Sequence, residues 1–260
     1  MNTPYDRLPS GRRSATAAHV VVVMPAYNAA RTLHDTWARL PEDGFGEIVL
    51  VDDASDDGTA ALAEQIGLTV IRHPHNVGYG GNQKTCYMEA LRRGADVVVM
   101  LHPDGQYVPE ELPELMAPVV AGEADLVLGT RMAAQGAAKA GGMPLYKRAA
   151  NRALTAVENI ALGTRLSELH CGYRVYSRRL LEGVPFLRNA NDFVFDQQLI
   201  AQAVLGGFRV VEVPVSCRYF EDASSANLRQ SIVYGLKTLA LMGRVVAHRL
   251  RLRRSRLLSS

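Results

Sequence analysis

The sequence predicts an α/β fold built on a mostly parallel sheet with helices on both faces. Three observations predict it. Strand-length apolar runs alternate with helix-length stretches five times over the first half of the chain. The clearest runs, 20–24 and 97–101, are apolar at successive positions, as in strands covered on both faces. The runs end in clusters of Pro, Gly, Asn and Asp, which turn a chain out of a strand.

Taken in order, 19–24 is a strand stopped by Pro25-Ala26-Tyr27-Asn28, with Asn28 placed to cap a helix over 29–40. A loop over 41–46 leads to a strand at 47–51, which closes on Asp52 and Asp53. A helix follows over 59–66, then a short strand at 69–72. Residues 73–81 read as a Gly-rich turn, and 82–93 as a helix. The strand at 97–101 runs into His102-Pro103-Asp104-Gly105-Gln106. Pro109 suits the first turn of a helix over 109–121. A fifth strand at 125–129 leads to Thr130-Arg131. Residues 132–142 are Ala-, Gly- and Gln-rich with little to bury, so they read as a flexible loop. Beyond them come a helix over 145–162, a strand-like segment at 171–177 and a helix over 193–205. Two further strand-like segments, 208–213 and 215–219, are separated by Pro214. From 226 to the end the chain reads as helical and basic. The organisation is thus a flexible N-terminal tail over 1–18, one domain over 19–225 and a basic amphipathic extension over 226–260.

The 260 residues carry a net charge of +3, distributed unevenly. No acid follows Asp222, and eight Lys or Arg lie from Arg229 onward, which leaves a body of 21 basic and 26 acidic residues. The basic excess therefore belongs to the C-terminal extension and points to an anionic surface. Aromatic groups are missing after Tyr234, which argues against nucleic acid and for a membrane surface. Three scattered cysteines form no CxxC pair, no zinc spacing and no disulfide framework, as expected of a reducing compartment. The N-terminal stretch lacks the apolar core of a signal peptide.

The chemistry-bearing residues fall at strand ends, where open α/β sheets bind ligands. Asp104 and Gln106 both offer oxygen and lie two apart, so they project the same way from an extended segment. Such oxygens suit Mg²⁺ or Mn²⁺, and His102 offers a nitrogen that Mn²⁺ tolerates better. Asp52 and Asp53 suit ribose hydroxyls or a base N–H; the alternative is that 52–59 is a helix-capping loop. Gly78-Tyr79-Gly80-Gly81 lacks the Gly-Lys-Ser/Thr of a Walker loop and reads as a turn.

Pro25-Ala26-Tyr27-Asn28, Val51-Asp52-Asp53-Ala54-Ser55-Asp56-Asp57-Gly58-Thr59 and Asp104-Gly105-Gln106 together resemble the family 2 glycosyltransferases of the GT-A fold, a Rossmann-like architecture. Within them the chain is similar to the dolichol- or polyprenyl-phosphate sugar synthases, over about residues 19–230. The resemblance implies that Pro25, Tyr27, Asn28, Asp52, Asp53 and His102 bind the nucleotide. It implies Asp104 and Gln106 as metal ligands, Arg131 near the transferred phosphate, and Arg148, Arg152 and Arg218 around an acceptor phosphate. Gly172-Tyr173-Arg174 matches the family's Gly-Phe-Arg segment. The chain departs from the pattern where Ala29 replaces a Glu, where His102 replaces the first metal carboxylate, and where Ser225-Ala226-Asn227 replaces a Ser-Lys pair.

The expected reaction is metal-assisted, inverting transfer from a UDP- or GDP-sugar to a polyprenyl phosphate at the inner face of a membrane. Asp104 is its central catalytic residue, and Arg131 offers a second positive charge to the leaving diphosphate. A hydroxyl acceptor is the alternative, and it needs a base, for which Asp196 is the candidate. The other reading of Asp192 and Asp196 is a pair of acids at a helix N-terminus. A sugar nucleotidylyltransferase would need a Gly-rich basic loop after the first strand, where Pro25-Ala26-Tyr27-Asn28 stands. In the extension, Ile232, Leu236, Leu239, Val246 and Leu250 recur at helical spacing. This stripe suits a helix lying peripherally in a membrane interface. The alternatives are docking on the protein's own body or in a homo-oligomer.

Overall fold

The computed structural model describes residues 18–132, 145–218, 228–253 and 255–258. All but Ala18 of the expected tail over 1–18, most of the 132–142 loop and the domain boundary at 225 lie outside them.

Four parallel strands form the first half of the sheet: β1 (Val20–Ala26), β2 (Glu47–Asp52), β3 (Thr69–Arg72) and β4 (Val97–Met100). They alternate with helices α1 (Ala30–Ala38), α2 (Thr59–Gln65) and α3 (Tyr79–Arg92). After β4 come a 3₁₀ turn at Pro109–Glu111, α4 (Leu112–Val120) and β5 (Leu126–Thr130). Then follow α5 (Leu145–Leu162), β6 (Arg174–Ser177), α6 (Arg178–Gly183), α7 (Phe195–Leu205), β7 (Val210–Pro214) and α8 (Leu228–Arg249). The sheet order is β3-β2-β1-β4-β6-β5-β7. β6 inserts antiparallel between β4 and β5, pairing Val98 with Tyr176 and Val127 with Val175. All other pairings are parallel, so the expected mostly parallel α/β sheet is what forms.

Two apolar layers sandwich the sheet. Val21, Val23, Val49 and Val98 pack with Tyr87, Phe195, Leu199 and Val245 from the α3, α7 and α8 side. Val20, Val22, Val97 and Val99 pack with Leu33, Ala63 and Leu115 from α1, α2 and α4. Both faces of β1 are therefore buried, which is why it needs apolar residues at every position.

Several local readings change. α3 starts at Tyr79, so Tyr79, Gly80 and Gly81 belong to its first turn rather than to a loop. The reason is close approach: a Cβ on Gly80 would lie 2.4 Å from the carbonyl oxygen of Ala190 and 2.7 Å from Cβ of Phe195. Asn28 does not cap α1. Its backbone is left-handed (φ 53°), and the first turn of α1 is capped from outside. Thr59 Oγ1 accepts from the Ala29 N–H at 2.8 Å, and Asp57 Oδ2 from the Ala30 N–H at 3.0 Å. Pro214 is the last residue of β7, so the strand ends on it rather than one residue before; β7 is a sheet edge, where a missing N–H is tolerated. Of the expected 215–219 strand, the described residues form one bridge, Tyr107 to Cys217.

Candidate active site

The chain order reverses between β1 and β4. From β1 the sheet grows through β2 to one side, while β4 lies on the other. Such a switch point opens a crevice beyond the strand ends. Pro25 widens it. Ala26 O accepts from the Asp53 N–H on the β2 side, and Val23 O from the Leu101 N–H on the β4 side. Alternation turns the Pro25 nitrogen toward β4, past the last β1–β4 partners, Val23 and Met100. With no N–H to donate there, the two strands part. Pro25 is buried and shapes the crevice through the backbone.

On the β2 side, Asp52 is 3 % exposed. Its Oδ2 accepts from the Ser55 N–H at 3.1 Å, while its buried Oδ1 has no hydrogen-bond partner among the described residues. An orphaned buried carboxylate oxygen at a crevice is an acceptor awaiting a ligand donor. Asp53 differs. Its oxygens accept from the Val77 and Gly78 N–H groups at 2.9 and 3.1 Å, and its Oδ1 lies 2.8 Å from His73 Nδ1. Asp53 thus ties the 73–78 turn to β2. Asn28 accepts from the Asp56 N–H at 3.2 Å and donates its own N–H to Ser55 Oγ at 2.9 Å. Asn28 and Ala54 (φ 61°) are both left-handed, so the crevice wall carries backbone strain on two adjoining loops. Tyr27, 56 % exposed, leaves its ring at the mouth.

On the β4 side lie His102, Asp104 and Gln106. Asp104 Oδ1 accepts from the Gln106 N–H at 3.0 Å, a tight turn that holds both side chains at the strand end. The 217–218 segment closes over it, since the Arg218 N–H donates to Gln106 O at 2.8 Å. The His102 ring stacks on Tyr79, with centroids 5.6 Å apart. Burial pushes its imidazole below the ordinary value, against the pull of Asp104 and Asp196. Gly172 lies close by: a Cβ there would lie 3.2 Å from the His102 ring and from the Tyr107 hydroxyl, and these side chains would have to give by a few tenths of an ångström.

Two expected catalytic residues, Asp196 and Arg131, sit in buried ion pairs. Asp196 Oδ1 pairs with Arg174 Nη1 at 2.9 Å, and Asp196 Oδ2 accepts from the Tyr79 hydroxyl at 2.8 Å. Both oxygens are therefore engaged within the fold. Arg131 is buried against Glu168: its Nε donates to Oε1 at 2.9 Å and its N–H to Oε2 at 2.7 Å, and Nη2 also reaches the carboxylate. Burial works to raise the Glu168 carboxyl, but Arg131 prevails and holds it below its usual range. Tyr79, Glu168 and Tyr107 were missed in the sequence, where each is an ordinary residue of a helix, loop or strand end.

The expected acceptor cations are spread out. Arg148 lies on the α5 face that carries buried Asn151, Thr155 and Glu158, and its buried Nε has no hydrogen-bond partner among the described residues. Arg152 and Arg218 are exposed. Only Arg218 is tied, through its backbone, to the Asp104 turn. Among the described residues no three His, Cys, Asp or Glu form a metal cluster. One carboxylate, one amide and an imidazole fit a hard cation that keeps water and phosphate oxygens in its shell.

A glycosyl transferase family 2 model matches residues 21–184, more than half of the chain. The chain belongs to glycosyltransferase family 2. It is 30 % identical over 227 residues to a polyprenol monophosphomannose synthase of Mycolicibacterium smegmatis, covering 82 % of this chain and 83 % of that one. It is 31 % identical over 207 residues to an undecaprenyl-phosphate mannosyltransferase of Micrococcus luteus, covering 76 % and 82 %. Among solved structures, glucosyl-3-phosphoglycerate synthase of Mycobacterium tuberculosis superposes with a TM-score of 0.68 at 22 % identity, over 88 % of this chain and 80 % of that one. That likeness establishes the GT-A fold of this glycosyltransferase. The switch-point crevice between Asp52 and Asp104 is its candidate active-site cleft.

Proposed function

We propose that this glycosyltransferase moves a sugar, with inversion, from a nucleoside-diphosphate sugar to a polyprenyl phosphate at a membrane surface. The observation that carries the donor side is the orphaned Asp52 Oδ1 facing the cleft opposite the Asp104 turn. Asp52 accepts from the nucleoside, the Tyr27 ring flanks it, and Asp104 with Gln106 marks the diphosphate end. Asp104 and Gln106 would hold Mg²⁺ or Mn²⁺, which when bound neutralises the leaving diphosphate as a Lewis acid. Solved neighbours of the same fold are described in complex with Mn²⁺ or Mg²⁺ and UDP, which supports a metal and a uridine donor by analogy.

The acceptor reading rests on the same logic of charge. A phosphate monoester is largely dianionic at neutral pH and needs cations to place it, not a base. Asp196, the candidate base for a hydroxyl acceptor, is consumed by Arg174 and Tyr79. Arg148 and Arg218 are the cations that would orient the acceptor phosphate, from α5 and from beside Gln106. The named relatives act on polyprenol and undecaprenyl phosphates.

The membrane reading rests on α8. Its buried face is Thr238, Leu241, Met242 and Val245. The expected stripe of Ile232, Leu236, Leu239, Val246 and Leu250 lies on the other side, each residue at least 40 % exposed. Docking on the body therefore uses other residues and leaves the stripe uncovered. Leu145, Tyr146, Val157 and Ile160 on neighbouring α5 are exposed as well. No described helix is long and apolar enough to cross a membrane. An apolar helix face beside Arg244, Arg249, Arg251 and Arg253 suits an anionic lipid interface.

The test is product analysis with undecaprenyl phosphate in anionic vesicles, UDP- and GDP-sugars and Mn²⁺ or Mg²⁺. A lipid-linked sugar with stoichiometric nucleoside diphosphate is expected. Nucleoside diphosphate released only with a hydroxyl acceptor would overturn the acceptor; an unchanged donor throughout would overturn the transferase reading.

A further inference from the structure

We propose that the cavity between α8 and the segment leading into α7 seats the phosphate-proximal isoprene units of the acceptor lipid. This rests on the lipid-acceptor reading above and adds where the chain of that lipid lies.

The cavity holds about 400 Å³, within the usual size of a ligand site. Its walls are apolar, with Phe193 and Val194 on one side and Val233 and Tyr234 on the other. Arg229 and Lys237 also line it. Arg229, Val233 and Lys237 recur every four residues, with Gln230 and Tyr234 alongside them, so one flank of α8 forms the wall. That flank adjoins the outward stripe, since Val233 is itself 44 % exposed beside Ile232 and Leu236.

The opposite wall leads to the chemistry. The Phe193 ring packs on Tyr79 with centroids 4.7 Å apart, and Tyr79 stacks on His102, two residues before Asp104. The cavity thus joins the uncovered face of α8 to the turn where transfer takes place. Branched apolar units match Phe193, Val194 and Val233 by shape and polarity, whereas a glycan would strand its hydroxyls against them. The charges fit a lipid that ends in phosphate. Lys237 pairs with Asp192 and ties the two walls together, and Arg229 forms no ion pair among the described residues, so one positive charge is left over at the rim.

The test uses the full chain and a farnesyl phosphate bearing a diazirine in its first isoprene unit. Irradiation followed by peptide mass spectrometry is expected to place the label on the 192–194 segment and on α8 around Val233. Val233→Trp fills the cavity from an exposed position. It is expected to remove that label and to lower kcat/KM for farnesyl phosphate about tenfold, the scale of losing one apolar subsite. Val233→Ala, which leaves the space open, is expected to keep the label. The donor KM and the melting temperature should match wild type in both variants, which separates the seat from a folding defect. Label found elsewhere, or undiminished in Val233→Trp, overturns the seat. Label at Val233 with no sugar transferred to any polyprenyl phosphate keeps the seat and retires the lipid-acceptor reading. Transfer with label elsewhere does the reverse.

Discussion

Asp52 and Asp53 are adjacent in sequence, yet their carboxylates meet different fates. Asp53 accepts from two backbone N–H groups and lies beside His73, so removing it frees the 73–78 turn. Asp52 keeps one buried oxygen unpartnered. Asp52→Ala is therefore expected to weaken UDP or GDP binding by roughly ten- to a hundredfold, the worth of one hydrogen bond to a charged group. The loss should appear with or without metal, because Asp52 is not part of the Asp104 turn. Calorimetry that finds unchanged affinity for both nucleotides would remove Asp52 from the site.

Glu168 and Arg131 set a pH dependence at the same scale. The folded Glu168 carboxyl lies below its unfolded value, which is about 4.3. Its contribution to stability is thus fully present above that value and lost as pH falls through the lower folded one. Glu168→Gln leaves Arg131 buried and uncompensated, at a cost of about 3–5 kcal/mol near neutral pH. The gap between variant and wild type should narrow as pH drops below about 4. Urea unfolding at pH 7 and at pH 3.5 measures it, and a gap that stays constant would mean the pair is not what stabilises this region.

At the scale of elements, α3 is held by glycines in its first turn. Gly80 lets the helix approach the 190–195 segment, and that approach brings Tyr79 to Asp196 and His102. Gly80→Ala would improve helix propensity yet push a methyl against the Ala190 carbonyl. The overpacking cost, about 1–3 kcal/mol, outweighs the propensity gain of about 1 kcal/mol. A lowered melting temperature with reduced turnover is expected, since the Tyr79–His102 stack moves with the helix. A variant as stable and active as wild type would show that the 190–195 segment yields freely.

For the whole molecule, charge and apolar surface converge on one side. The basic excess lies in the C-terminal extension, and α8 presents Leu236 and Leu239 to solvent there. Replacing both with Asp is expected to abolish co-sedimentation with anionic vesicles and to leave UDP affinity intact. Each basic residue near such a surface is worth on the order of 1 kcal/mol, and the attraction is screened by salt. Binding of the wild type should therefore fall between low salt and about 0.5 M salt, where the Debye length drops below about 8 Å. Wild-type protein that ignores anionic vesicles at low salt would end the peripheral-membrane reading.

By itself the sequence determined the alternation of β1 through β4 with α1 through α3, and the placement of Asp52 and Asp104 at strand ends. These are local properties. A strand covered on both faces must be apolar throughout, and the residue after it must turn, so each element announces itself within a few positions. The order of motifs was enough for family and fold. Tertiary structure alone decided what depends on partners far along the chain. β6 pairs with strands about 50 and 80 residues away, and nothing in its own sequence states that it runs antiparallel between them. Asp196 reads as an acid at a helix N-terminus until Arg174 and Tyr79 arrive from elsewhere in the chain and consume its oxygens. Arg131 reads as a ready cation until Glu168 is buried against it. α8 is apolar on two sides, and periodicity marks both. Only packing chooses Leu241, Met242 and Val245 for the body and leaves Leu236 and Leu239 uncovered, because burial belongs to a pair of surfaces and one helix carries only half of that information.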